Sequence, residues 1–172
     1  FQLFLSWFLY FDEQLSKIYK DNRNKVPTLV LGDYNARPGN ATSKEERNYI
    51  GKFTLFPSRD PMDETFPGVL ENREFLMLFC SNFDLQILNT QFEKPKEKLF
   101  TNRHVGVDLT MPIEPSTHWQ VDHMLMERKW RRGILDIEAN PHVGVNTRHS
   151  AVETATKSIL KANFFKPPSQ KL

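Results

Sequence analysis

Three features of the sequence predict a layered α/β domain. An apolar-faced helical stretch comes first, a short continuous apolar run follows, and a second helical stretch leads into segments of period-2 alternation. The order helix, strand, helix, several strands is not a strict βαβ series, and no internal repeat is present.

Phe8, Phe11, Leu15, Ile18 and Tyr19 share one helical face, with Asp12, Glu13, Lys17 and Lys20 elsewhere, which predicts a helix over 3–22 packed on a sheet. Residues 1–11 are strongly apolar but fall short of the about 20 that span a bilayer. They also lack the flanks of a secretory signal. So apolar a first turn suggests a cover in the full-length protein. After a turn at 21–24, the run Pro27-Thr28-Leu29-Val30-Leu31 predicts a strand buried on both faces. Ala36-Arg37-Pro38-Gly39-Asn40 reads as a loop, and 41–70, punctuated by Pro57, Pro61 and Pro67, as loops with short helical turns. A second helix is predicted over 71–82 from Phe75, Leu76, Leu78 and Phe79, and a strand over 84–89. Partial alternation predicts further strands over 98–101, 105–111, 119–128, 134–139 and 150–156.

The chain of 172 residues, 39% hydrophobic and 26% charged, has the size and composition of one globular domain or a piece of one. Its lone cysteine, Cys80, excludes an intrachain disulfide framework and sits in an apolar run, as a buried structural thiol does. The formal charge of +2 does not announce a nucleic-acid binder, but it is unevenly placed. From Thr147 onward five Lys/Arg stand against Glu153, a net of +4, which leaves −2 for the rest. Residues 1–160 read as the domain and 161–172 as a basic tail or linker, which could track a phosphate backbone or simply be a solvated end.

Three clusters could carry chemistry. Leu31-Gly32-Asp33-Tyr34-Asn35-Ala36 ends the first strand, and alternation would put Asp33 and Asn35 on one side, able to orient a water and a phosphoryl oxygen; Gly-Asp-x-Asn is equally a good turn. In His118-Trp119-Gln120-Val121-Asp122-His123-Met124-Leu125, a carboxylate inside an apolar strand is costly unless paired, so Asp122 wants a partner. Asn146-Thr147-Arg148-His149-Ser150-Ala151-Val152 supplies His149 at a strand junction, either as a structural histidine or as one whose tautomer an aspartate fixes. The histidines His104, His118, His123, His142 and His149 offer no zinc spacing.

Together these motifs resemble the endonuclease/exonuclease/phosphatase superfamily, in its non-LTR retrotransposon endonuclease branch with the craniofacial development protein 2-like proteins. The family's Gly-Asp-Phe-Asn is matched by Gly32-Asp33-Tyr34-Asn35, and its "Leu-x-Ile-x-Asn-Thr-x-Phe" by Leu85-Gln86-Ile87-Leu88-Asn89-Thr90-Gln91-Phe92. Its "Ile-Asp-Tyr-Ile-Leu" is matched by Val121-Asp122-His123-Met124-Leu125, and its "Ser-Asp-His-x-x-Val" by Thr147-Arg148-His149-Ser150-Ala151-Val152. The matches run in order over about residues 10–157. The resemblance implies a four-layered α/β sandwich and a metal-dependent phosphodiesterase acting on DNA, with Mg²⁺ or Mn²⁺ as cofactor.

By the same resemblance, Asp33 orients or deprotonates the attacking water and is the candidate metal ligand. Asn35 holds the scissile phosphate, His149 contacts it, and Asp122 orients His149. Two departures are notable. Arg148 stands where the family has a metal-binding aspartate, and a guanidinium cannot coordinate Mg²⁺ but can grip a phosphate. The family's early asparagine and glutamate ligands precede the helix with which this chain begins, so it is expected to be a C-terminal part of such a domain lacking the N-terminal strands, truncated or degenerate. A non-catalytic phosphate- or nucleic-acid-binding remnant, or a relic without activity, is the alternative. Other activities of the superfamily, such as inositol-phosphate phosphatase, sphingomyelinase, abasic-site nuclease or deadenylase, stay open. With neither signal peptide nor transmembrane segment evident, an intracellular protein is expected, and a DNA substrate makes the nucleus a candidate location.

Overall fold

The central strand is the most buried one. In Asp122–Glu127, hereafter β5, five of six residues are buried, Met124-Leu125-Met126 among them. Such a strand needs cover on both faces and partners on both edges. In the computed structural model, which describes residues 13–14, 16–17, 19–21, 27–57, 67–143 and 147–157, it has them. One edge pairs antiparallel with β1 (Leu29–Asp33), the other with β2 (Leu85–Ile87). The register sets Val30 opposite Leu125, Leu31 opposite Met124 and Asp33 opposite Asp122.

The two faces of β5 pack differently. Leu125 lies in a cluster with Leu85, Ile87 and the helix residues Leu76, Phe79, Cys80 and Phe83. Met124 and Met126 pack instead with Ile134 and Ile137 of β6 (Ile134–Asn140), with Val152 of β7 (Ala151–Thr156) against them. β6 and β7 form a second antiparallel sheet, and Asn102–Arg103 (β3) and His118–Trp119 (β4) form a third. The described residues thus make a mixed α/β fold with three small antiparallel sheets. No helix among them is long and apolar enough to cross a membrane.

The helix α1, Pro67–Phe83, begins on a proline, whose missing N–H is no loss in a first turn. Its buried stripe recurs at 73, 76, 80 and 83, while Leu78 faces outward. Asp84 ends it in the left-handed region (φ 52°), a conformation aspartate tolerates. Cys80 is fully buried and free, and burial pushes its thiol up.

Several expectations need correction. β1 is not buried on both faces: it is the edge of its sheet, and Leu31 is 59% exposed. Burial on both faces belongs to β5, where methionines replaced the β-branched signature. Of the helix expected over 3–22, residues 1–12 lie outside the described residues; 13, 14, 16, 17 and 19–21 are helical. Its buried Tyr19 packs edge-on against Phe83 and Phe79 of α1, at 4.9 and 6.5 Å, and so on a helix. The second helix starts a turn earlier than 71.

The strand expected over 105–111 is a run of turns. Val107 and Met111 N–H groups reach back three residues, Gly106 has φ 86°, and Asp108 Oδ1 accepts from both Thr110 N–H and its hydroxyl. Turn chemistry overrides alternation there, and Val105 is left 70% exposed. In place of 98–101 there is a 3-10 turn at Lys96–Lys98, with β3 starting at Asn102. The stretch 119–128 breaks at Gln120-Val121 because the Thr101 hydroxyl accepts the N–H groups of Val121 and Asp122, both at 2.9 Å. The strand read over 84–89 is β2 followed by a 3-10 turn, Leu88–Thr90. Strands expected over 134–139 and 150–156 are β6 and β7.

His123 on β5 is buried, donating from Nε2 to the Ala36 carbonyl at 2.8 Å while Nδ1 has no partner among the described residues. Burial lowers its pKa from 6.5 to about 4, against smaller upward pulls from the Ala36 carbonyl and the Asp33 charge. The folded state therefore binds fewer protons than the unfolded chain in that window. Its contribution is full above pH 6.5 and is lost as pH falls toward 4. Urea midpoints followed across this range should drop less steeply for His123→Gln than for the unsubstituted protein; parallel profiles would show that His123 is not buried neutral.

Candidate functional site

Three chain segments meet where β1 ends and β5 begins. Asp33 closes β1 and Asp122 opens β5, directly opposite each other in the ladder. His149 comes from the segment preceding β7, which runs antiparallel beside β3. Arg103 N–H donates to the Arg148 carbonyl, and Ser150 N–H donates to the Thr101 carbonyl. One ligand-type atom from each of Asp33, Asp122 and His149 lies within 4.8 Å of the others.

The imidazole orientation follows from its neighbours. Nδ1 faces both Asp122 carboxylate oxygens at 3.1 and 3.3 Å, and Nε2 faces Asn102 Nδ2 at 3.1 Å. A carboxylate accepts and an amide nitrogen donates, so the arrangement fits a neutral ring protonated on Nδ1. Asp122 is half-buried, and burial raises its pKa. Hydrogen bonds from Thr101 and His149 pull it back down, while the nearby Asp33 charge pushes further up.

Asp33 is exposed, and its Oδ1 accepts the Asn35 N–H at 2.9 Å. That turn puts Asn35 at φ 47°, a conformation asparagine adopts with little cost. Strand alternation therefore does not extend from Asp33 to Asn35; a turn sets the Asn35 side chain, and that side chain is exposed. Arg148, adjacent to His149 in sequence, is exposed, and its guanidinium makes no hydrogen bond or ion pair with the described residues.

The loop after Asp33 is pinned through its carbonyls. Asn72 Nδ2 donates to Asn35 O at 3.2 Å, His123 to Ala36 O, and Arg73 Nε to Pro38 O at 2.8 Å. Arg73 is buried and makes a two-pronged pair with Glu46 at 2.8 and 2.9 Å. The Arg73 hydrogen bond is the main reason the Glu46 carboxyl sits at about 2. On the other side of Asp122, Asn89 spans two backbone groups of β5, donating to Asp122 O at 2.8 Å and accepting Met124 N–H at 3.2 Å.

Sequence reasoning named Asp33, Asn35, Asp122, Arg148 and His149, and the structure brings together Asp33, Asp122 and His149. It missed Asn102, Thr101, Asn72, Arg73 and Glu46. Arg73 left a signal: it is a charged residue on the stripe that continues through Leu76, Cys80 and Phe83. Asn102 left none, because its role depends on how 148–150 lies beside β3. No protein-family model matches the chain, and no curated protein matches it.

¹⁵N spectra of His149 should show Nδ1 protonated and Nε2 bare. Asn102→Ala should populate both tautomers while leaving the remaining amide spectrum in place. An Nε2-protonated ring in the unsubstituted protein would contradict the arrangement.

Proposed function

We propose that this chain carries the site of a metal-dependent phosphodiesterase, of the retroelement endonuclease type, that hydrolyses DNA, degenerate where Arg148 replaces an acidic ligand. The observation that carries the reading is the convergence of Asp33, Asp122 and His149, which the motifs single out from widely separated parts of the chain. The four-layered sandwich is the fold inferred for the intact domain. A helix on one face of the central sheet and β6-β7 on the other agree with it.

The donor set suits a hard divalent cation. Such ions commonly take only one or two carboxylates, keeping water or phosphate oxygens in their other positions. Asp33 and Asp122 offer these carboxylates, with His149 beside them. Asp33 raises the pKa of Asp122, the like-charge strain a cation would relieve. Bound Mg²⁺ or Mn²⁺ would supply charge neutralisation at a phosphoryl oxygen.

In this reading Asp33 orients the attacking water and accepts its proton. Only Oδ1 of that carboxylate is engaged among the described residues. Asn35 presents its exposed amide to the scissile phosphate from a loop whose backbone is already fixed, so little ordering entropy is lost on engagement. Asp122 holds the His149 ring through Nδ1. Asn102 donates to Nε2, so a phosphoryl oxygen meeting the ring must displace that amide and finds a donor there only once Nε2 has gained a proton.

Supercoiled-plasmid nicking with Mg²⁺ or Mn²⁺ tests the proposal. EDTA should abolish nicking, and Asp33→Ala should slow it by about 10²-fold or more, the scale of losing one positioned catalytic group. Equal rates for Asp33→Ala and the unsubstituted protein would overturn it.

The second reading, a phosphate-binding remnant, is favoured by one observation, the guanidinium of Arg148, adjacent to His149 in sequence, exposed and unpaired among the described residues. Arg148→Asp separates the two. Hydrolysis predicts more metal-dependent nicking, because an anionic ligand is restored. The remnant predicts weaker metal-independent DNA binding and a shallower salt dependence.

A further inference from the structure

The loop that carries Asp33 and Asn35 continues into one wall of a cavity of about 210 Å³, and this cavity lies outside the carboxylate–histidine cluster. Its volume is below the roughly 300 Å³ at which pockets for drug-sized ligands begin, and several times the ~30 Å³ share of one water. It suits a single ring system.

The walls are of two kinds. Arg37 lies over the Trp119 ring, its guanidinium carbon 4.9 Å from the centroid, in a cation–π contact. Leu55 adds apolar surface. Polar groups on the wall include Asn40, Thr54 and Gln120, the last two buried, beside Thr42, the Glu46-paired Arg73 and the buried His118. The side-chain hydrogen bonds of Asn40, Thr54 and Gln120 are long. Thr54 Oγ1 to Asn40 Oδ1 is 3.5 Å, Leu55 N to Gln120 Oε1 is 3.4 Å, and Gln120 Nε2 to Asn89 O is 3.4 Å. Against the usual 2.9–3.0 Å these are weak, and a better partner can displace them at small cost. Two amide edges, each a donor beside an acceptor, match the edge of a nucleobase, and base recognition in single strands combines such edges with stacking.

Position selects a base over other flat rings. Trp119 is the ladder partner of Asn102, and Asn102 touches His149, so one cavity wall adjoins the proposed phosphate site. Arg37 is four residues from Asp33, at most about 14 Å along the chain.

We propose that this cavity is a binding site for one nucleobase of a nucleic-acid strand whose backbone runs past Asp33 and His149. The inference rests on the phosphodiesterase reading for the strand, but the cavity can be tested apart from it. Amide-resolved NMR titration of the full chain with thymidine or adenosine, which carry no phosphate, reads the cavity alone. Titration with deoxyribose 5-phosphate, which carries no base, in the presence of Mg²⁺ reads the phosphate site alone.

Saturable shifts at Thr54, Leu55 and Trp119 are expected with either nucleoside and not with the sugar phosphate. Arg37→Ala should weaken nucleoside binding about tenfold, the scale of one lost stacking partner. Ala41→Phe, which fills the cavity from its wall, should abolish it, and the same spectra show whether each variant is folded. No saturable shift with either nucleoside, or shifts that survive Arg37→Ala unchanged, would overturn the cavity proposal. Sugar-phosphate shifts confined to Asp33 and His149 would then leave the phosphate reading standing alone. Nucleoside shifts without them would remove that reading and keep the cavity.

Discussion

The β1–β5 register is the constraint from which the site follows. It sets two carboxylates, Asp33 and Asp122, directly across a ladder, an arrangement that by itself destabilises a sheet. What holds it is the apolar ladder behind it, where Val30 meets Leu125 and Leu31 meets Met124. Because side chains alternate, a slip of one residue would turn Leu125 away from α1 and carry Met124 and Met126 out of the β6–β7 core. Burial of three large side chains therefore outweighs repulsion between two partly solvated charges. The core fixes the site, and the site costs the core something.

The supporting residues divide that cost. Thr101 takes the two N–H groups freed where β4 breaks from β5, and Asn89 ties the backbone on either side of His123. Asn72, Arg73 and His123 each hold a carbonyl of the loop after Asp33. Such a loop would otherwise carry several unpaired carbonyls against the protein surface. With them satisfied by side chains from α1 and β5, the loop that carries Asp33 and Asn35 keeps one shape.

What was legible in the sequence depended on the range of the forces involved. Strands β6 and β7, the helix through 71–82 and the buried thiol of Cys80 follow from local periodicity. The demand of Asp122 for a partner was legible from the cost of a charge in an apolar strand, and His149 meets it. The edge position of β1 was not legible, since its residues give no sign of which strand will lie between them and β2. Nor was Asn102, an ordinary polar residue until the segment before β7 is laid beside it. The false strand over 105–111 shows the opposite failure: an alternating pattern was present, but Gly106 and Asp108 supplied stronger local turns.

Charge balance at the site bears on which reading of it is sound. Asp33 and Asp122 are two acids beside an imidazole whose contacts fit the neutral form. Arg148 is adjacent in sequence, but its guanidinium is exposed and unpaired among the described residues. A solvated charge of that kind offsets about 1 kcal/mol at 4 Å in water and less at greater distance. The cluster thus stays net negative, and a bare phosphate approaching Asp33 meets repulsion. A remnant that binds phosphate unaided must order the exposed Arg148 side chain, at the cost of its freedom. The proposed hydrolytic reading answers this differently: a divalent cation held by the two opposed carboxylates would remove the repulsion, so that reading would account for their juxtaposition where the remnant does not.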